Sequence, residues 1–305
     1  MSEKRTLVSF DWAIKNILRD KANFDVLEGF LSTLLDKDIT ILSILESEGN
    51  QQYETDKFNR VDLKVEDEHG EIFIIEVQND REIHYLERLL YGSSKVITDH
   101  LKLGDSYAGI KKVIMINILY FLLGEGETDY IYYGKTEFHG LNDHKKLEFH
   151  RRKRDAVLGS DPESNQNIFP EYYLIEVERF KDVIQKGIDE WVYFFKNSEI
   201  KPEFKSKNIQ KAREKLNILK MSDEQRKAYD RYLLNRMSEK EAIDTAKQDG
   251  IEEGIKKGIE EGKAEIALNM LKMGLLPTEQ IAQTTGLTEG QIKLLAQDAN
   301  LDTGE

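Results

Sequence analysis

Apolar positions recur with helical spacing from residue 10 onward. Trp12, Ile14, Ile17 and Leu18 are followed, past Lys21–Asn23, by Phe24, Val26, Leu27, Phe30, Leu31, Leu34 and Leu35. This predicts one or two amphipathic helices over 10–35. Between 60 and 78 the period shortens to two. Val61, Leu63 and Val65 alternate with charged residues, Asp67-Glu68-His69-Gly70 interrupts, and Ile72 to Val77 resumes. That is the signature of a β-hairpin with Gly70 at a left-handed turn position. Helical spacing returns over 82–102 with Tyr85, Leu89 and Val96. The almost wholly apolar Val113–Leu123 predicts a buried strand. Further strands are expected over 129–139 and 171–177. Strands interleaved with helices predict an α/β core of about 200 residues.

Beyond Pro202 the pattern becomes helical. Ser222 with Gln225, and Ser238 with Glu241, have capping-box spacing. Gly250, Gly254, Gly258 and Gly262 then recur every fourth residue beside Ile251, Ile255 and Ile259. A spacing of four drifts only about 40° per step, so glycines and isoleucines form adjacent stripes. Each interior glycine costs about 1 kcal/mol relative to alanine. The stripe therefore reads either as a close helix–helix contact or as a loosely ordered linker. The last segment, Leu275–Gln297, predicts two short helices about Gly286, with Thr288 and Gln291 as a further capping box. It has the outline of a helix-turn-helix, but its second helix offers only Lys293 as a base, which favours packing or protein contact. The divisions expected are a core at 1–200, a helical arm at 201–264 and a small helical hairpin at 265–305.

Composition narrows the function. The chain of 305 residues has no cysteine, which excludes thiolate metal sites and cysteine nucleophiles. No apolar run is long enough to cross a membrane, and the N-terminus lacks a secretion signal, so a soluble cytoplasmic protein is expected. No glycine-rich phosphate loop is present, so no nucleotide cofactor is expected. The net charge of -13 opposes simple electrostatic wrapping of DNA, but it is unevenly spread. Residues 36–82 hold 14 acids against 5 bases, whereas 144–154 hold 6 bases against one acid. Cations could gather at the first stretch and phosphates at the second, where Arg151, Arg152 and Arg154 are the candidate DNA contacts. Two solvated surface stretches of opposite sign would have the same composition.

The candidate chemistry lies in the hairpin NRVDLKVEDEHGEIFIIEVQND. A three-residue loop over Glu68-His69-Gly70 pairs Asp67 with Glu71. It then sets Asp62 opposite Glu76, Lys64 opposite Ile74 and Arg60 opposite Gln78, leaving Val61, Leu63, Val65, Phe73, Ile75 and Val77 on the other, buried face. Two carboxylates some 5 Å apart repel, and a cation relieves that. Asp62, Glu76 and the Val77 carbonyl form an all-oxygen donor set suited to Mg²⁺ or Mn²⁺. A half-exposed hairpin whose polar face is wet has the same alternation, and both readings stand at this point.

The spacing D-x13-E-x-[Q/K] on adjacent strands after an N-terminal helix resembles the PD-(D/E)XK nuclease superfamily. The whole chain is similar to its Rpn family of recombination-promoting nucleases and putative transposases. The similarity runs through DWAIK with Asp11 and Lys15, through VDLKVEDEHGEIFIIEVQ, and through YLERLLY with Arg88 and Tyr91. It continues through LIEVERF, the glycine-repeat helix and the tail. The resemblance implies a restriction-endonuclease-like mixed sheet flanked by helices, followed by an α-helical C-terminal extension. It implies a metal-dependent DNA endonuclease of low sequence preference, tied to recombination, mobile elements or defence. Asp62 and Glu76 become the metal ligands, Asp11 and Lys15 accompany them from the first helix, and Arg88 and Tyr91 contact substrate. Gln78 stands where the superfamily usually has lysine. It can position water but carries no charge, and the missing charge could come from Lys64, Arg88 or Lys15. A catalytically weak module that binds DNA or protein through the tail is the competing expectation. The glycine stripe is expected either to join two copies in a homodimer or to fold back on the core and hold the cleft shut.

Overall fold

The computed structural model describes residues 6–45, 62–99, 106–126, 128–147, 167–274 and 276–299. Their contacts divide the chain into two units, Met1–Tyr229 and Asp230–Glu305.

The first unit opens with two helices, α1 (Phe10–Asn16) and α2 (Phe24–Leu35). Lys21–Asn23 between them form a short 3-10 turn that Asp20 caps by accepting from the Ala22 amide at 2.9 Å. The strands β1 (Ile41–Leu45), β2 (Leu63–Asp67) and β3 (Ile72–Gln78) follow, then α3 (Tyr85–Asp99), β4 (Val113–Leu119), β5 (Ile131–Lys135) and β6 (Glu171–Glu176). Among the described residues they form one six-stranded sheet in the order β1-β2-β3-β4-β6-β5. Pairing is antiparallel from β1 to β3, parallel across β3, β4 and β6, and antiparallel again at β5. The helix α3 is the crossover that makes β3 and β4 parallel.

The hairpin has the register that its alternation predicts, with Leu63 opposite Ile75, Lys64 opposite Ile74 and Val65 opposite Phe73. The Gly70 amide donates to the Asp67 carbonyl at 3.1 Å, and Gly70 adopts φ 76°, which a residue with a Cβ rarely takes. Leu63, Val65, Phe73, Ile75 and Val77 are buried on one face as expected, while Val61 lies outside the described residues. The opposite face of β3 is not open to water. Ile72 and Ile74 pack there with Tyr85, Leu89 and Val96 of α3 and with Val113, Met115 and Leu119 of β4. The parallel crossover buries both faces of the central strands.

Two more helices, α4 (Gly187–Asn197) and α5 (Ile209–Lys215), complete this unit. Phe10 of α1 packs on Phe195 at 4.3 Å, Phe194 at 5.8 Å and Phe30 of α2 at 6.0 Å between ring centres. Residues beyond 200 belong to this packing. The Val8 amide donates to the Leu216 carbonyl at 3.0 Å, and the Ser9 amide to the Tyr229 hydroxyl at 3.0 Å.

The helix α6 (Asp223–Met273) is continuous for 51 residues. Ser222 and Gln225 form the expected capping box, each accepting from the other's amide. Ser238 and Glu241 start no new helix. They lie inside α6, where backbone hydrogen bonding continues without need of a cap. In the second unit, α7 (Thr278–Thr285) and α8 (Glu289–Asp298) fold against the end of α6. Ile281 and Ile292 bury themselves with Ala267, Gly286 takes φ 70°, and Thr288 caps Gln291 as expected.

Candidate active site

The candidate site lies where the β3 C-terminus, the β2 N-terminus, α1 and the segment leading into α3 meet. The amphipathic α1 divides its roles by spacing. Phe10 and Ile14, four apart, enter the aromatic core, while Asp11 and Lys15 share the adjacent face. Lys15 Nζ lies 2.6 Å from Asp11 Oδ1 and 3.4 Å from Asp62 Oδ1. The other Asp11 oxygen accepts from Asn79 Nδ2 at 3.3 Å. Asp62 Oδ2 accepts from the Val77 amide at 2.8 Å, and Arg19 Nη2 donates to the Asp62 carbonyl at 2.7 Å. Asp62 is thus fixed to the strand that carries Glu76.

Glu76, on the same face of β3 as Ile72 and Ile74, is buried, with 4% of its surface exposed. Burial pushes its carboxyl up to about 7; the nearby Arg88 cation and a hydrogen bond from Gln78 pull it down, and the Asp62 charge pushes it up. The two carboxylates therefore feel each other's charge. Lys15 moves the other way from simple desolvation. Burial lowers its proton affinity, but its hydrogen bond to Asp11 and the charges of Asp62 and Asp11 outweigh that, and its pKa is raised. It stays a cation across the physiological range.

Arg88, on the first turn of α3, reaches back to this point. Its Nη2 lies 3.7 Å from Glu76 Oε2, and its Nη1 pairs with Glu82. With the Gln78 amide turned so that its oxygen faces the guanidinium, that oxygen accepts from Nη1 at 3.2 Å and Nη2 at 2.7 Å. Deeper along the same face the Tyr85 hydroxyl donates to Asn117 Oδ1 at 2.9 Å, and Asn117 is the β4 partner of Glu76. Burial, then the Glu76 charge, raises the Tyr85 pKa, so it remains a neutral donor.

Several of the expected residues gather here: Asp11, Lys15, Asp62, Glu76, Gln78 and Arg88. Lys64 is half-buried on β2, one hairpin pair from Asp62. Tyr91 is 39% exposed, three residues beyond Arg88 on α3. Arg151, Arg152 and Arg154 lie outside the described residues. Of the basic run, Lys145 and Lys146 are exposed and pair with Asp143 and Glu137. Glu82, Asn79, Arg19 and Asn117 were not foreseen. The run NDRE directly after EVQ carries the only local signal for two of them, since its polar residues continue the strand's acidic end toward α3.

The acid pair fits a hard divalent cation. Glu76 is a buried carboxylate whose neighbours leave its charge incompletely compensated, and the donors are oxygens. Among the described residues no group of three or more His, Asp and Glu could hold a metal ion. The donors the structure brings here are two carboxylates, the oxygen type that Mg²⁺ prefers.

A mixed sheet flanked by helices, with Asp62 just before β2 and Glu76 on the adjacent β3, is a restriction-endonuclease-like α/β core. Residues 8–152 match the family described as PD-(D/E)XK nuclease family transposase. Searches of curated proteins and of solved structures return no match.

Proposed function

We propose that this protein is a metal-dependent DNA endonuclease of low sequence preference, acting in recombination, on mobile elements or against foreign DNA. The observation that carries this reading is the acid pair of Asp62, just before β2, and Glu76 on β3, flanked by the cations Lys15 and Arg88, in a stretch that matches a nuclease-family model. Asp62 and Glu76 would hold Mg²⁺ or Mn²⁺ with the Val77 carbonyl. The ion supplies Lewis acidity toward a phosphate oxygen and lowers the pKa of a bound water.

Hydrolysis adds water across a phosphodiester: the water oxygen bonds to phosphorus, the bond to one sugar oxygen breaks, and that oxygen leaves with a proton. The chain contributes positioning and charge. Asp11 and Asn79 hold Lys15 beside Asp62, so its ammonium faces the phosphate negative charge without wandering. The Val77 amide fixes the Asp62 carboxylate, which leaves Oδ1 directed away from the strand toward Lys15. Tyr91 and the basic residues Arg151, Arg152 and Arg154 would contact DNA, and a second copy would dock along the α6 glycine stripe.

Supercoiled plasmid incubated with the protein and Mg²⁺ or Mn²⁺ should be nicked or linearised, and Asp62→Ala should abolish this while the tryptophan fluorescence of the fold persists. A second reading has one observation in its favour: Lys15 and Arg88 already pair with Asp62 and Glu76 in the protein alone. A catalytically weak module acting through its tail would keep these pairs permanently. No cleavage with either metal, together with tail-dependent DNA or protein binding, would select it.

A further inference from the structure

The Arg88 guanidinium sits in a three-sided holder built from two elements. Gln78, at the end of β3, accepts from both terminal nitrogens, at 3.2 and 2.7 Å. Glu82, before α3, takes Nη1, and Glu76 lies 3.7 Å from Nη2. The arginine side chain is 32% exposed, so the fork stands at the rim of the site with one side open to water. A carboxamide brings no charge to a phosphate, but its oxygen can be shared by the planar fork of a guanidinium. A lysine at position 78 could not accept these bonds and would repel Arg88.

We propose that Arg88 delivers the positive charge to the scissile phosphate, with Gln78 and Glu82 as the positioning residues that aim its fork at the Asp62–Glu76 end of the sheet. This rests on the phosphodiester reading above and adds a division of labour to it. Gln78 is then one half of a pair whose other half comes from a different element, and not a weakened water-orienting group. Glu76 is the loosest of the three partners. An arriving phosphate takes over the Nη2 side facing it, while Gln78 and Glu82 keep the rest of the fork in place. Positions 78 and 88 can be exchanged only together.

The test compares the full chain with Gln78→Lys, Arg88→Met and both together. Plasmid cleavage is measured in Mg²⁺ or Mn²⁺, and affinity for a short duplex is measured in EDTA at several salt concentrations. Each single substitution should lose about 10²-fold in cleavage, the scale of removing one oriented charge donor. The double variant, which carries its cation on β3 itself, should recover at least tenfold over either single. Arg88→Met should weaken duplex binding and lower its salt slope by about one ion, and Gln78→Lys should restore both. Glu82→Gln should reduce wild-type cleavage about tenfold and leave the double variant unaffected, since no fork remains to aim. An equal loss in both backgrounds refutes the positioning role of Glu82. Gln78→Lys at or above wild-type activity, or a double variant no better than Arg88→Met, overturns the proposal. A wild-type chain that cuts nothing removes the nuclease reading instead, and the EDTA arm then decides. Arg88→Met binding as tightly as wild type overturns the phosphate contact as well, and weaker binding rescued by Gln78→Lys upholds it.

Discussion

Replacing Glu76 with glutamine should stabilise the metal-free protein at alkaline pH and leave it nearly unchanged at acid pH. The carboxyl's ordinary value of 4.5 rises to about 7 in the folded chain, chiefly through burial. A raised value means that the folded protein binds the proton more tightly than the unfolded chain. The associated stability is fully present below about pH 4.5 and is lost as pH rises through about 7. At 1.36 kcal/mol per unit, that shift makes the ionised residue cost about 3 kcal/mol at pH 8.5 relative to pH 4.5. Glutamine keeps the volume and a donor–acceptor pair without the charge. Arg88 loses its 3.7 Å contact but retains Gln78 and Glu82, so part of the gain is offset and about 1–3 kcal/mol remains. Urea unfolding in EDTA followed by tryptophan fluorescence measures this cleanly. The chain has two tryptophans, and Trp12 and Trp191 are both buried in the first unit. The midpoint of Glu76→Gln should lie well above wild type at pH 8.5 and close to it at pH 4.5. An equal shift at both pH values, or destabilisation at pH 8.5, refutes the picture of Glu76 as an incompletely compensated buried acid.

The same group links metal and proton. Mg²⁺ or Mn²⁺ binding should release about one proton at pH 6 and almost none at pH 8.5, since a ligating carboxylate must be ionised; calorimetry in two buffers of different ionisation enthalpy reads the number, and equal release at both pH values counts against Glu76 as a ligand. Along α6, a Cβ added at Gly250, Gly254, Gly258 or Gly262 would meet nothing within 4 Å. Gly254→Ala with Gly258→Ala should therefore strengthen the isolated helix by about 1 kcal/mol per site, yet push apart two copies docked on the stripe. Sedimentation should show a dimer that the paired substitution dissociates, and a wild-type monomer throughout the micromolar range ends the dimer proposal.

How much was legible follows from the range of each interaction. The hairpin was readable because side chains alternate strictly in a strand. Once Gly70 fixes the turn, the register of every pair from Val65–Phe73 to Leu63–Ile75 is determined. Asp62 lies one residue before that ladder, where its carboxylate accepts from the Val77 amide. The helix starts at Ser222 and Thr288 were readable for the same local reason. The capping-box spacing of Ser238 and Glu241 marks no helix start, because inside a helix with satisfied backbone bonds it has nothing to cap. The strand Ile41–Leu45 and the helix Gly187–Asn197 escaped notice. The first is only five residues long, and the second centres on five consecutive apolar residues, Trp191 to Phe195, a run too short to tell a helix from a buried strand by period.

The helix α3 shows why the site itself was only half readable. Its apolar positions Tyr85, Leu89 and Val96 predict a helix, and they do pack on Ile72, Ile74 and Met115. What no periodicity conveys is that the crossover lays the first turn of that helix across the end of β3. Only there can Arg88, ten residues after Gln78 in sequence, donate to it in space. A carboxamide at 78 read along the chain is a loss of charge that Lys15, Lys64 or Arg88 could equally make good. Read across the crossover, it is an acceptor with a guanidinium already in place, and the carboxylate of Glu82 closes the arrangement from the loop between them. The acid pair is a property of one hairpin and could be derived from spacing. The cation beside it depends on how the helix after the hairpin packs, and so could be placed only once the tertiary fold was known.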